Sequence, residues 1–193
     1  MATSGMQGRV PPQNEEVERA VLGAILLNER AWTDVSDILA PGDFYKVAHQ
    51  QLFAAILAFK QESSEVLDLL TLNAFLKGKA LVDQCGGPAY IASLTSDVPS
   101  LTNAVYYARM LKELSQRRKL LLYASQLRDR AFDESQDIRK VIDEGEQALS
   151  DLSNEAAGSD TYHEMKDLVT TLISDIEERT ITGEKRGYDS GYT

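Results

Sequence analysis

The sequence predicts an all-α protein: a compact helical head, a long antiparallel helical hairpin, and a C-terminal linker helix. Three observations lead there. Apolar residues recur at spacings of three and four along most of the chain, the period of a helix with one buried face. No alternating run of β-branched and aromatic residues bounded by turn dipeptides breaks that pattern. From Ser100 to about Phe132 the chain contains neither Gly nor Pro, so one helix can run that far.

Residues 1–10 carry no apolar run and are expected to be a disordered N-terminus. The first helix starts after Pro11-Pro12, with Asn14 as N-cap and Glu15, Glu16 and Glu18 near the positive end of its dipole. Val17, Val21 and Ala24, with Leu22, Ile25 and Leu26, give it a wide buried face. Short helices are predicted over residues 31–39, 46–61, 69–78 and 88–96. Pro41-Gly42, residues 62–65 and Gly86-Gly87 punctuate them, and Pro88 suits a first helical position. Residues 11–98 then form the head.

The hairpin is assigned to residues 99–154. Ser100 can cap a rod ending near Phe132, roughly 48 Å long at about 1.5 Å per residue. The polar break Asp133 to Gln136 is followed by Ile138, Val141, Ile142, Leu149 and Leu152, the apolar side of a returning helix. The rod has more apolar surface than its hairpin mate can cover: Ala104, Tyr107, Ala108, Leu111 and Leu114 in one stripe, then Leu120, Leu121, Leu122, Tyr123 and Ala124 nearly all round. That excess predicts oligomerisation through Tyr107, Leu111, Leu114, Leu120, Leu122 and Tyr123. The alternative is that the head covers the extra face.

Residues 155–160 are small and polar, as a flexible linker is. Residues 161–183 form an amphipathic linker helix whose apolar side includes Leu168, Leu172 and Ile176, without an obvious partner in the chain. Residues 184–193 end without a capped element and read as the start of a further domain.

Composition narrows the function. With 43% hydrophobic residues among 193, the chain can bury a sizeable core. Its 20 basic and 30 acidic residues leave a net charge of -10, unsuited to gripping phosphates. Cys85 has no disulfide partner, and neither a secretory h-region nor a run of about 18 apolar residues is present, so a soluble cytoplasmic protein is expected. The Gly78-Lys79 pair lacks the rest of a phosphate loop, since Asn73 stands where the earlier glycine is needed. His49, His163 and Cys85 do not make a zinc set, and His49 reads as a hydrogen-bonded structural residue. No catalytic, metal or cofactor residue is nominated, and no enzymatic activity is expected of this chain.

A series of short matches in one order carries a family resemblance. It opens with Pro11-Pro12-Gln13-Asn14-Glu15-Glu16-Val17-Glu18-Arg19-Ala20-Val21-Leu22-Gly23-Ala24-Ile25-Leu26-Leu27 and continues through Asp43-Phe44-Tyr45, His49 and Leu52-Phe53. Gly86-Gly87-Pro88-Ala89-Tyr90, Val98-Pro99-Ser100, Asn103, Tyr107-Ala108-Arg109 and Arg117-Arg118 complete it. The chain resembles the N-terminal domain, with linker helix, of bacterial replicative DNA helicases of the DnaB family.

That resemblance implies a non-catalytic assembly module of a hexameric ring that unwinds duplex DNA at the replication fork. ATP and Mg would be held by a RecA-like motor following residue 193, and single-stranded DNA would be met only through the full hexamer. The family's N-terminal domains pair as dimers or a trimer of dimers and recruit primase. Its primase-contact positions fall on Tyr90, Leu121 and Leu127; Leu168, Leu172 and Ile176 would dock the linker helix on a neighbour. A helicase loader is a further implied partner. Near the C-terminus, Ser190 precedes Gly191-Tyr192 where the family has Thr. Arg117, Arg118 and Lys119 are expected to bridge to carboxylates across the hairpin or between subunits. The competing readings are the helicase-binding domain of a primase and a stand-alone adaptor or loader.

Overall fold

Asn14 stops an extended segment and starts the first helix: its side-chain oxygen accepts the Val17 N–H at 3.2 Å, satisfying a donor that the helix itself leaves open. In the computed structural model, which describes residues 10–96 and 103–155, α1 is Glu15–Leu27. The Val17, Val21, Ala24 face and its Leu22, Ile25, Leu26 neighbour are both buried, and Ala20 with them. A helix buried on so much of its circumference must be central. It packs against α2 (Glu29–Ser36), α3 (Val47–Glu62), α5 (Pro88–Ser96) and α6 (Ala104–Ala131).

α2 begins two residues before its expected start. Asn28 ends α1, donating its N–H to the Ala24 carbonyl at 3.0 Å, and its side chain caps α2 by accepting from Arg30 N–H at 2.9 Å. One residue thus serves two helix ends, which leaves almost no loop. The Pro41–Asp43 turn leads into α3, and Asp68 caps α4 (Leu69–Gly78) by accepting from Leu70 and Thr71 N–H groups, both at 2.8 Å. α4 and α5 occupy the predicted spans. Among the described residues every regular element is helical.

α4 ends on a residue that chemistry disfavours there. Ala80 adopts φ +56°, while its N–H reaches the Lys77 carbonyl and Leu81 N–H reaches the Leu76 carbonyl. These two bonds form the Schellman closure, in which the left-handed position normally belongs to glycine. Ala80→Gly should therefore raise unfolding free energy by about 0.5–1 kcal/mol, read as a higher denaturant midpoint at unchanged slope.

The core runs through Leu52, Phe53, Ile56 and Phe59 of α3, Leu72 and Leu76 of α4, and Ile91 and Leu94 of α5. Ala104, Ala108 and Leu111 of α6 belong to the same cluster. The first half of the rod thus packs against the head. The first compact unit extends from Met1 to Gly145.

α6 has 28 residues, about 42 Å at about 1.5 Å each. The expected Ser100 cap lies outside the described residues. The break after Phe132 is held locally: Asp133 accepts from Ser135 N–H at 3.1 Å, and Asp137 accepts from Arg139 N–H at 2.9 Å to cap α7, residues 138–155. The returning helix is antiparallel to α6, since Arg130 pairs with Glu144 and Leu127 meets Gly145. A Cβ on Gly145 would stand 3.0 Å from Leu127 Cδ1, so the missing side chain is what lets the two helices approach. In the second unit, Glu146–Thr193, the described residues 146–155 are helical, with Gln147 donating to Asp151 one turn on at 2.8 Å.

Candidate interaction surface

Two buried carboxylates organise the side of the head that carries α6. Asp43, 2% exposed, accepts from Ser115 Oγ at 2.6 Å, from Lys112 Nζ at 3.0 Å and from Ala40 N–H at 2.9 Å. Its backbone carbonyl accepts from Arg118 at 2.5 Å, and the same guanidinium donates to the Pro12 carbonyl at 2.9 Å. Arg118 thus bridges to main-chain carbonyls of the head, not to carboxylates across the hairpin as expected. A planar guanidinium with several donors can hold two carbonyls at once. Arg117 pairs with Glu113 on its own helix.

The second carboxylate, Glu18, accepts from Tyr45 N–H at 2.5 Å and Lys46 N–H at 3.3 Å, and lies 2.6 Å from His49 Nδ1. His49 Nε2 is 2.6 Å from the Tyr90 hydroxyl, which also accepts from Lys46 Nζ at 3.2 Å. The ionised carboxylate only accepts, so Nδ1 carries a proton toward it. His49 Nε2 and the Tyr90 hydroxyl share the next hydrogen bond of the chain. His49 is fully buried and bonded at both nitrogens, as a structural histidine should be.

The surface lies beside these networks. Lys46 touches Tyr90, and the neighbouring Tyr45 ring sits 5.8 Å from the Arg118 guanidinium. Leu121 and Leu122 follow Arg118 at three and four residues, hence on the same side of α6. Tyr90 and Lys46 are thus in contact, as are Tyr45 and Arg118, and Leu121 and Leu122 lie on the side of α6 that carries Arg118. Ala104, Ala108, Leu111, Ser115 and Arg118 make the stripe that faces the head, and the next position of that stripe is Leu122, past the last head contact.

This arrangement sorts the predicted residues. Leu120, Leu121, Leu122 and Leu127 are 46%, 44%, 55% and 38% exposed. Leu114 and Tyr123 are half-buried. Leu111 is 0% exposed, covered by the head and so closed to a second copy, whereas Tyr107 packs against the core and stays half-buried. Leu127 faces α7, and Leu120, seven residues before it, shares that side. Leu168, Leu172 and Ile176, with the linker at 155–160, the helix at 161–183 and the segment 184–193, lie outside the described residues except for residue 155, which is helical.

Sequence reasoning passed over Glu18, Lys46, Lys112 and Ser115. A signal existed for two of them. Glu18 stands four and seven residues before Leu22 and Ile25, and Ser115 continues the Ala104, Ala108, Leu111 spacing, so each is a polar residue in a buried stripe.

A family model described as the DnaB-like helicase N terminal domain matches residues 10–113. The chain belongs to that family. Among curated relatives, the replicative DNA helicase DnaB of Treponema pallidum (strain Nichols) is 36% identical over 177 residues, which cover 92% of this chain and 40% of that one. The replicative DNA helicase DnaB of Geobacillus stearothermophilus is 33% identical over 186 residues, covering 96% and 40%. The chain thus spans about 40% of the length of these relatives. The crystal structure of the N-terminal domain of DnaB helicase from Mycobacterium tuberculosis aligns with TM-score 0.68 and 33% identity, over 73% of this chain and 99% of that one. A DnaB-like replicative helicase described with its interactions with primase shares the fold, at TM-score 0.59 and 23% identity over 79% and 35% of the two chains. The match supports the helicase-domain reading over the primase-domain one. Among the described residues of this DnaB N-terminal domain, no helix is long and apolar enough to cross a membrane.

Four surface carboxyls shift in the same direction. The hydrogen bond from Lys46 holds Glu15 below its ordinary 4.5, and Arg130 does the same for Glu144. Thr71 N–H lowers Asp68 and the Ser135 hydroxyl lowers Asp133, both from 3.8. Carboxyls depressed in the folded state stabilise it above their ordinary values, and that contribution is lost as pH falls through the depressed ones. Stability should thus be flat near neutrality and decline below about pH 4.5. Thermal unfolding from pH 7 to 3 checks this, and added salt should shrink the ion-paired part.

Proposed function

We propose that this chain is the assembly and partner-recruiting domain of a hexameric, ATP-dependent replicative DNA helicase acting in the primosome. One observation carries the reading: within a DnaB N-terminal domain, α6 leaves Leu120, Leu121 and Leu122 exposed in one apolar run. The domain needs no reaction chemistry for this role. Leu120, Leu122, Tyr123, Leu114 and Tyr107 meet a second copy, in dimers and then a trimer of dimers, while Tyr90, Leu121 and Leu127 meet primase. Leucine and tyrosine that are already ordered lose little entropy on docking and bury much apolar area.

The rest of the assembly follows from the family. ATP and Mg belong to a RecA-like motor, single-stranded DNA is held by the hexamer, and a helicase loader is a further partner, all in the cytoplasm. Leu168, Leu172 and Ile176 dock the linker helix on a neighbouring subunit. Calorimetric titration of this chain with the helicase-binding domain of the cognate primase tests the recruiting role. Saturable heat with one site per protomer or per dimer is the expected result, and no heat at tens of micromolar refutes it.

A further inference from the structure

Tyr90 is held far more firmly than a partly exposed aromatic requires. Its ring stacks on His49 with centroids 5.9 Å apart and planes 13° apart, and its hydroxyl is bonded by His49 and Lys46. Lys46 Nζ and Arg19 Cζ lie 4.8 and 5.7 Å from the ring centroid. Beneath it, Gly86 adopts φ +93°, and a Cβ there would come within 2.6 Å of Tyr90 Cδ1. The glycine is required twice, for its backbone conformation and for the room it leaves the ring.

Behind Tyr90 stand His49 and Glu18, 0% and 1% exposed. A carboxylate and an imidazole in a core cost more desolvation than apolar side chains of similar size, so packing alone does not account for them. They are joined end to end, however. Glu18 is held by the Tyr45 and Lys46 N–H groups and lies 2.6 Å from His49 Nδ1, and His49 Nε2 lies 2.6 Å from the Tyr90 hydroxyl, so the chain of hydrogen bonds runs from the core to the ring. We infer that Glu18 and His49 are positioning residues that set the Tyr90 ring for docking, so that the partner meets the ring and the hydroxyl is used internally. This rests on the reading of Tyr90 as part of the recruiting surface. It adds that the buried pair sets partner affinity without touching the partner, by removing the ring's freedom before binding.

Two variants test it on the full chain, with the primase helicase-binding domain as titrant. His49→Gln and Tyr90→Phe each break the link and should each weaken binding about tenfold while the fold is retained. In both, carbon-13 aromatic spectra should show the ring of residue 90 flipping faster than in the parent. Glu18→Gln, which keeps an acceptor for the Tyr45 N–H but offers a donor to Nδ1, should change the nitrogen-15 shifts of the His49 ring, with the same loss. It carries the test should His49→Gln unfold. A folded His49→Gln chain that binds primase like the parent, when Tyr90→Ala does not bind, overturns the positioning role. A Tyr90→Ala chain that binds like the parent overturns instead the recruiting role of Tyr90. Ring flipping decides the positioning role even then: an unchanged rate in both His49→Gln and Glu18→Gln overturns it.

Discussion

Asp43→Ala should cost about 3 kcal/mol of unfolding free energy, the largest single loss expected from any surface-proximal residue of this domain. The carboxylate is buried, and its three partners reach it from two directions: Ala40 from its own turn, Lys112 and Ser115 from α6. Alanine leaves Ser115 without its acceptor in a buried site and removes the acceptor of the Ala40 N–H. Lys112, 18% exposed, can turn to water, which keeps the cost at the lower end of the range for breaking a buried pair. Asp43→Asn retains one acceptor and loses the charge, so about half that loss is expected. Urea denaturation compares the three chains, and a loss below about 1 kcal/mol for alanine would contradict the view that Asp43 fastens α6 to the head.

Leu121→Glu should act in the opposite way, leaving stability within about 0.5 kcal/mol and weakening primase binding about a hundredfold, or about 2.7 kcal/mol. Leu121 is 44% exposed, so a carboxylate there is not buried in the free chain. In the complex it would be, among apolar neighbours and at the cost of its desolvation. Calorimetry with the primase domain and urea denaturation of the free variant measure the two halves. A large stability loss would mean that Leu121 supports the hairpin; unchanged binding would remove it from the surface.

The helices were legible in the sequence because their signals are local. Asn14, the Pro41-Gly42 turn and Gly86-Gly87-Pro88 punctuate the chain where the elements start and stop, and α4 and α5 occupy their predicted spans. Which face of the rod the head would cover was not legible. Leu111 and Leu122 have the same side chain and lie on the same stripe, yet one is buried and the other is open, because the head ends between them. That depends on where α1 and α2 pack, a long-range fact that periodicity does not encode.

The buried polar pairs were half legible. A carboxylate at position 18 and a hydroxyl at 115 interrupt apolar stripes, and such residues call for partners. The partners themselves, His49 and Asp43, lie 31 and 72 residues away in sequence. Asp43-Phe44-Tyr45, His49 and Gly86-Gly87 through Tyr90 all lie within the matched residues 10–113. In the folded chain Asp43 latches α6 to the head, His49 relays the orientation of Glu18, and Gly86 seats the Tyr90 ring.

Solution molar mass tests most directly whether the open side of α6 builds assemblies. Light scattering at several concentrations, on this chain and on one ending at Asn154, should give dimers or higher even assemblies that persist in the shorter chain. Monomers at every concentration for both would contradict the assembly role of the hairpin.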